Sequence, residues 1–527
     1  MQRKNLKTST YLLIAILIIA AILRCNHIQQ PFIDAASWRQ SDTATIADNF
    51  YQGHWNILYP KISWNGPGDN YVGYEFQTIT YITALVYRMV GHHDWAARLV
   101  AITFGLWGIF AFYQLVRCIW GEKHGIVSAG VLAILPGEVY VDRSFLPDPV
   151  MLSLTITTAW LIITYLQTEQ KRYLLLAIFT GILGFSTKIP GVLVGIPLLY
   201  AIPAILNQRQ RLNLKTLALL FTSGILILIP VITYYLWAIH ISRTYPPYYI
   251  AAGEYWVWKF GLRHFLDHYY FLPKLFAQLS WFWTKPLILV VLISLCLHPF
   301  QSSHSHELEQ SKLANRHNEA PWLFHWWMLA FALYYLLAAQ GLVNNPTNLN
   351  IMNPAAAALI ANILIKITSG VQRIAGAYLS TMFIVALFLG IGILGYHNLQ
   401  AFAFKPWAEV EYKLGLALRQ ASQPTDLVIT VSSTIGDTVA IYYSQRRGWM
   451  FPPAYTWASL KWPASDDKAV ILVLKELLDK GAVWFGIVKT QKDNLSQKKS
   501  ELLEYIEQNF EHYQETPEFT IYRIPAS

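Results

Sequence analysis

Long apolar runs separated by short polar segments dominate the first 400 residues of the chain. A membrane-spanning helix needs about 20 mostly apolar residues, and eleven segments approach that length. These candidate spans centre on 9–24, 97–117, 125–140, 150–167, 173–187, 190–206, 216–239, 284–299, 322–341, 350–366 and 374–397. The hydrophobic pattern therefore predicts a polytopic α-helical membrane protein with about 11 transmembrane helices.

The pattern changes after about residue 400, where short apolar stretches alternate with amphipathic ones. "DLVITVSS" and "AVWFGIVK" are typical of short buried strands, and "DDKAVILVLKELLDKG" and "QKKSELLEYIEQNF" are typical of helices. Strands that alternate with helices predict a small α/β domain. We therefore expect a transmembrane domain over 1–400 with long loops at 26–96 and 241–285, followed by a soluble α/β domain over 401–527.

The basic residues orient these spans, because positively charged loops stay in the cytoplasm. With a cytoplasmic N-terminus, Lys and Arg fall in alternate connections, namely "RCIWGEKHG", "QTEQKRY", "NQRQRLNLK", "QSSHSHELEQSKLANRHNEA" and "KITSGVQR". The two long loops and the C-terminal domain then lie outside the cytoplasm. We predict a multi-pass protein of the plasma (inner) membrane.

Composition supports this interpretation. Of the residues, 54% are hydrophobic and 13% are charged, against about 25% charged in an average soluble domain. The net charge of +9 is accounted for by the cytoplasmic loops, and we expect no nucleic acid partner.

Carboxylates cluster in the predicted outer loops, next to the ends of spans. The first loop carries Asp34, Asp42 and Glu75, and the next short outer turn carries Asp148 with Arg143 close by. Two acidic loops beside one helix bundle suit a general base that deprotonates an acceptor hydroxyl or amine. They also suit a divalent cation, which prefers oxygen ligands. The alternative is that these acids hydrate loop ends, cap helices or pair with arginines.

Lys188 lies in "GFSTKIPG", between two predicted spans. A lysine in a hydrophobic bundle is costly unless it is paired or hydrated, so it indicates a functional site. Phosphate is a natural partner for it. The alternative is that the side chain reaches the lipid headgroups, and the same two interpretations apply to Arg263.

The order and spacing of these features resemble those of a known family. The long acidic first loop is followed by "YEFQTITYITALVYRMVG", "AARLVAITFGLWGIFAFY", "RSFLPDPVML" and "GFSTKIPGVLVGIPLL". Over about residues 1–400, the chain resembles membrane-embedded glycosyltransferases of the dolichyl-phosphate-mannose protein mannosyltransferase type, which include bacterial aminoarabinose transferases.

The resemblance implies a GT-C fold and inverting transfer of a sugar from a polyprenyl-phosphate donor at the outer membrane face. The family's Asp-Glu pair near the start of the first loop falls at Arg39 and Gln40, so the catalytic acid is either Asp34 or Asp42, with Asp34 preferred as the first acid after the span. The other expected site residues are Lys188, Arg263 and Arg143 for the donor phosphate, and Glu75 and Asp148 for the donor or a metal ion.

A second departure concerns a His-Tyr-Tyr-like segment before a proline, which is replaced here by "TNLNIMNPAAAALIA". The sugar stays open, as does the choice of a lipid, glycan or protein acceptor. Two other functions remain as alternatives: a transporter or flippase of lipid-linked sugars, and a non-catalytic membrane scaffold.

Overall fold

The computed structural model describes residues 2–251, 271–297, 319–343, 345–453, 462 and 467–525. Arg263, one of the predicted phosphate-binding residues, lies outside this part of the chain. The helices, numbered along the chain, are α1 Gln2–Cys25, α2 Ser37–Tyr51, α3 Thr78–Val90, α4 Asp94–Trp120, α5 Glu122–Ile134, α6 Pro136–Arg143, α7 Asp148–Thr168, α8 Lys171–Thr187, α9 Gly195–Gln208, α10 Leu214–Thr244, α11 Phe271–Leu279, α12 Lys285–Cys296, α13 Leu323–Leu342, α14 Asn353–Asn398, α15 Glu409–Ala421, α16 Val439–Ser444, α17 Asp467–Asp479, α18 Lys489–Gln497 and α19 Glu501–Asn509. The strands are β1 Leu427–Val431, β2 Arg447–Met450, β3 Ala482–Val488, β4 Glu511–Glu515 and β5 Phe519–Arg523.

Within the described residues, seven helical segments are long and apolar enough to cross a membrane. They are Thr8–Cys25, Asp94–Trp120, Asp148–Thr168, Ile189–Gln208, Leu214–Thr244, Phe271–Cys296 and Pro346–Ala403. The consecutive helices α5 and α6 bend by 66° and provide an eighth if they form one span. The membrane character of the chain is confirmed, whereas the count of eleven spans is not.

Breaks and short helices account for the difference in count. The predicted span 173–187 lies in α8, which has only 17 residues. The predicted span 322–341 coincides with α13, whose regular geometry is interrupted at Ala338. The predicted spans 350–366 and 374–397 both fall in the single apolar segment Pro346–Ala403, and Gly376, whose φ of 82° interrupts α14, lies within the second of them. Hydropathy alone does not register helix length or an interruption such as that at Ala338.

The chain divides into two compact units. The helical unit comprises Met1–Ile28, Arg98–Tyr235 and Ala252–Ala403, and the mixed unit comprises Gln29–Ala97, Leu236–Ala251 and Phe404–Ser527. The mixed unit thus combines the first long loop with the predicted C-terminal domain.

A five-stranded sheet in the order β2-β1-β3-β5-β4 forms the centre of the mixed unit. Strand β1 pairs in parallel with β2 and β3, and β5 pairs antiparallel with β3 and β4. The α/β character predicted for the C-terminal segment is confirmed, and its location outside the cytoplasm stays a prediction.

Both faces of this sheet are covered by apolar side chains. On one face, Ile429 and Phe485 of the strands pack in a cluster with Leu474 of α17 and Leu502 of α19. A second cluster joins strand residues to α15 and to the first loop; its members include Val428, Trp484, Leu414, Ile46 and Phe50. The first loop is therefore part of a hydrophobic core, and this core fixes the position of α2.

Candidate functional site

Asp42 is the centre of a hydrogen-bonded group in the mixed unit. It lies on α2 with its side chain only 3% exposed. Its carboxylate accepts hydrogen bonds from Nε1 of Trp64 at 2.8 Å, from the hydroxyl of Tyr74, and from Nη1 of Arg39 at 3.3 Å. A buried carboxylate needs such partners, because an unpaired charge away from water is very costly.

Arg39 connects Asp42 to Glu75 across the first loop. Its Nη2 lies 2.6 Å from Oε2 of Glu75, and its guanidinium lies 4.5 Å from the centre of the Tyr74 ring. The side chains of Arg39 and Glu75 are each 17% exposed. The group therefore has a partly open side, formed by an arginine, and a closed side that holds Asp42.

This environment shifts the acid-base properties of Asp42. Burial raises the pKa of Asp42 above its ordinary value, although the positive charge of Arg39 opposes the rise. Hydrogen bonds from Tyr74 and Trp64 also favour the ionised form. Burial raises the pKa of Tyr74 well above its ordinary value, so the phenol remains a donor. A carboxylate with increased proton affinity is a stronger general base than an ordinary carboxylate.

Asp34, the other candidate base, has a different environment. It is fully buried, and its Oδ1 accepts a hydrogen bond from Nε2 of Gln40 at 2.5 Å. Its neighbour Ile33 packs with Ala408 and Val439, and the carbonyl of Ile33 accepts a hydrogen bond from the backbone of Ala408 at 3.0 Å. The chain around Asp34 is thus anchored to the C-terminal segment inside the mixed unit.

Lys188 forms the second group of candidate residues, in the helical unit. Its Nζ lies 2.7 Å from Oδ1 of Asp148 and 2.5 Å from Oδ1 of Asn348. Lys188 follows the last residue of α8, Asp148 begins α7, and Asn348 lies in the 3-10 helix Pro346–Met352 that precedes α14. The lysine is 12% exposed. The structure thus brings together two of the predicted residues, Asp148 and Lys188.

Asn348 was not predicted from the sequence. It belongs to "TNLN", the segment in which the aromatic residues expected from the resemblance are missing. The polar composition of that short connection was the only local signal for it. Its contact with Lys188 joins residues 160 positions apart.

Arg143 contacts the backbone around the start and end of the helices next to it. It is fully buried, and its Nη2 donates a hydrogen bond to the carbonyl of His27 at 3.0 Å. Its own carbonyl accepts a hydrogen bond from Arg98 at 3.4 Å. These contacts fix the backbone that follows α1.

Two further acids of the helical unit have buried partners that the sequence did not reveal. Asp142 pairs with Arg24 at 2.8 Å, and both side chains are almost completely buried. Glu138 accepts a hydrogen bond from Nδ2 of Asn353 at 2.6 Å, and Oδ1 of Asn353 accepts one from Trp283 at 2.8 Å. These contacts join α6 to α1 and to α14. Separation of α1 from α6 would leave an uncompensated buried charge, which is strongly destabilising.

A divalent metal ion does not fit the predicted carboxylates. Among the described residues, no three His, Cys, Asp or Glu side chains gather as metal ligands. Glu75 is paired with Arg39, and Asp148 is paired with Lys188. Each carboxylate therefore already has a cationic partner in the chain.

Comparison with known proteins shows similarity in sequence and in fold. The model of the family described as dolichyl-phosphate-mannose-protein mannosyltransferase matches residues 78–237. A putative mannosyltransferase of Bacillus subtilis is 27% identical over 117 residues, which are 22% of this chain and 16% of that protein. The match thus spans about a sixth of the curated relative's length.

Solved structures extend the likeness to nearly the whole chain. ArnT from Cupriavidus metallidurans in the apo state has a TM-score of 0.63 at 10% identity, with 98% of each chain covered. The same protein bound to undecaprenyl phosphate has a TM-score of 0.59. The oligosaccharyltransferase of Archaeoglobus fulgidus has a TM-score of 0.57 at 12% identity, with 95% of this chain and 73% of that chain covered. The predicted resemblance to membrane GT-C glycosyltransferases is therefore confirmed.

Proposed function

We propose that this protein transfers a sugar from a polyprenyl-phosphate donor to an acceptor at the outer face of the membrane, with inversion at the anomeric carbon. The observation that carries the proposal is the contact of Lys188 with Asp148, because both residues lie in the segment that matches the mannosyltransferase model. The fold shared with ArnT, which has been crystallised with undecaprenyl phosphate, supports the choice of donor class.

In this proposal, Lys188 binds the phosphate of the donor. Its ammonium is held in place by Asp148 and Asn348, so little side-chain entropy is lost when a ligand binds. An ammonium group that donates to a phosphate oxygen forms a charge-assisted hydrogen bond. The same charge stabilises the negative charge that grows on the phosphate as it leaves.

Asp42 is the proposed general base, and Asp34 is the alternative. The geometry supports Asp42, because burial raises its pKa and Arg39 keeps an ionised form available. The surroundings of Asp34 instead serve to anchor the backbone. Arg39 and Glu75 orient Asp42 in this scheme.

The reaction follows from these roles. The carboxylate of Asp42 takes the proton of the acceptor hydroxyl or amine, and the freed electron pair attacks the anomeric carbon. The bond from that carbon to the phosphate oxygen breaks, and polyprenyl phosphate leaves with its electron pair. Attack opposite the leaving group inverts the linkage.

The test is release of polyprenyl phosphate by the purified full chain. The chain is incubated with a panel of undecaprenyl-phosphate sugars and a membrane lipid extract as acceptor source, and products are identified by mass spectrometry. We expect release with at least one donor. A flippase or a scaffold would leave every donor intact, and that result would remove the proposal.

Variants then assign the roles. Asp42→Asn should lower the rate about 10²–10⁴-fold, as for loss of a general base, and Lys188→Gln should weaken donor binding. The matched control is Asp69→Asn, because Asp69 lies in the same loop but is 68% exposed. Size-exclusion profiles check folding. Full activity in both Asp42→Asn and Asp34→Asn would contradict the mechanism.

The proposed orientation has its own test. In a background without the three native cysteines, a cysteine at position 69 should react with a membrane-impermeant maleimide in intact cells. A cysteine at exposed position 171 should react only after the membrane is opened. The reverse pattern would overturn the outer location of the first loop.

A further inference from the structure

A cavity of about 220 Å³ lies in the helical unit, at the ends of the helices that are opposite Lys188. It is formed where α7 and α9 end and where α8 and α10 begin. Helix α8 has 17 residues and is therefore about 25 Å long, with Lys171 at one end and Lys188 just beyond the other. The cavity is thus distinct from the proposed donor site.

Positive charge dominates the polar side of this cavity. Lys171, Arg211 and Lys215 line it together with Glu169, so three cations against one carboxylate leave two positive charges. Glu169 lies 3.3 Å from Nε of Arg211, and its side chain is 64% exposed. An exposed pair of this kind contributes little, so it does not compensate the excess charge.

Helix geometry adds to the positive potential. Lys171 is the first residue of α8 and Lys215 is the second residue of α10, and neither helix has an acidic residue in its first turn. The N-terminus of a helix carries partial positive charge and favours an anion, not a lysine. An anion bound in the cavity would offset this unfavourable placement of both lysines.

The other side of the cavity is apolar. Leu166 and Leu206 lie two residues before the ends of α7 and α9, and Leu219 is the sixth residue of α10. These leucines are therefore about half a helical turn to one and a half turns inside the spans, whereas the cations are at the helix ends. The cavity changes from cationic to apolar along the direction in which the helices cross the membrane.

We propose that this cavity binds the phosphate of an anionic phospholipid, with the acyl chains along the leucine side. A free phosphate ion would use the cations but would leave the apolar side without a partner. The cations belong to "QTEQKRY" and "NQRQRLNLK", two of the connections predicted to be cytoplasmic, and anionic lipids of that leaflet bind clustered Lys and Arg. This proposal does not depend on the glycosyltransferase activity.

The test compares lipids on the delipidated full chain in detergent. Native mass spectrometry measures binding of phosphatidylglycerol and of phosphatidylcholine, and titration calorimetry measures binding of inorganic phosphate. The site variant is K171Q/R211Q/K215Q. The control variant is K123Q/K366Q/R373Q, which removes the same charge from other connections predicted to be cytoplasmic.

Phosphatidylglycerol should bind more tightly than phosphatidylcholine. The site variant should bind it about 100-fold more weakly, since each cation near a membrane surface contributes about a factor of five, and the control variant should change by less than about fivefold. Equal losses in both triple variants, or unchanged binding in the site variant, would overturn the proposal. Inorganic phosphate bound as tightly as the lipid would show that the site takes the free ion, and would overturn the assignment to a phospholipid.

Discussion

Replacement of Asp437 by asparagine should stabilise the mixed unit in a strongly pH-dependent manner. Asp437 is 7% exposed and precedes α16, where its Oδ1 accepts a hydrogen bond from the backbone N–H of Val439 at 2.8 Å. Burial and the negative charge of Glu411 raise the pKa of Asp437 to about 7. Asparagine keeps the acceptor oxygen and removes the charge.

The expected magnitude follows from linkage between proton binding and folding. The difference between a native pKa of about 7 and the ordinary value of 3.8 corresponds to about 4 kcal/mol. Between those values the folded protein holds a proton that the unfolded chain has lost, so stability falls as the pH rises from about 4 to about 7. The gain from Asp437→Asn should therefore grow from about 0.5 kcal/mol at pH 4 to about 4 kcal/mol at pH 8.

Amide hydrogen exchange of the full chain measures this gain locally. Peptides covering β1 and α16 report the free energy of opening, after correction for the intrinsic pH dependence of exchange. The control is Asp479→Asn at the end of α17, where the aspartate is exposed and the difference from the parent chain should stay within about 0.5 kcal/mol. A gain that is the same at pH 4 and pH 8 would refute the assigned cause.

Two further predictions concern the candidate base and the sheet. Arg39→Gln removes the cation 3.3 Å from Asp42, so the pKa of Asp42 should rise further. The acid limb of the pH–activity profile should then move up by about 1–3 pH units, and an unmoved limb would show that another group titrates. Gly448→Ala places a Cβ against the backbone of Val428 and should cost about 1–3 kcal/mol, seen as faster amide exchange in β1 and β2. Gly224→Ala, where the Cβ meets nothing, should leave that exchange unchanged.

Elements with a strong local pattern were predictable, and elements without one were not. Strands β1, β3 and β5 are mostly buried and lie where short apolar runs occur. Strand β4 is exposed at every position and has the sequence "EHYQE". This segment is a strand because it pairs with β5 at the edge of the sheet. A strand in that position does not need alternating apolar and polar residues.

The number of spans was less predictable than their presence. Hydropathy detects an apolar run, but the bend of 66° between α5 and α6 and the length of 17 residues of α8 depend on how the backbone folds. The same limit applies to the first loop. Its acids suggested a site on a solvated loop, whereas α2 is packed in a hydrophobic core with residues of the C-terminal segment.

The sequence by itself determined that this is a membrane protein with a terminal α/β segment and the GT-C resemblance, because burial and helix or strand period are properties of neighbouring residues. It also marked Lys188 as a charge that needs a partner. Only the tertiary structure decided that the partners are Asp148, 40 positions away, and Asn348, 160 positions away. It likewise placed Arg39 between Asp42 and Glu75. Such pairings depend on how distant segments pack together, and the local pattern of one chain does not contain that information.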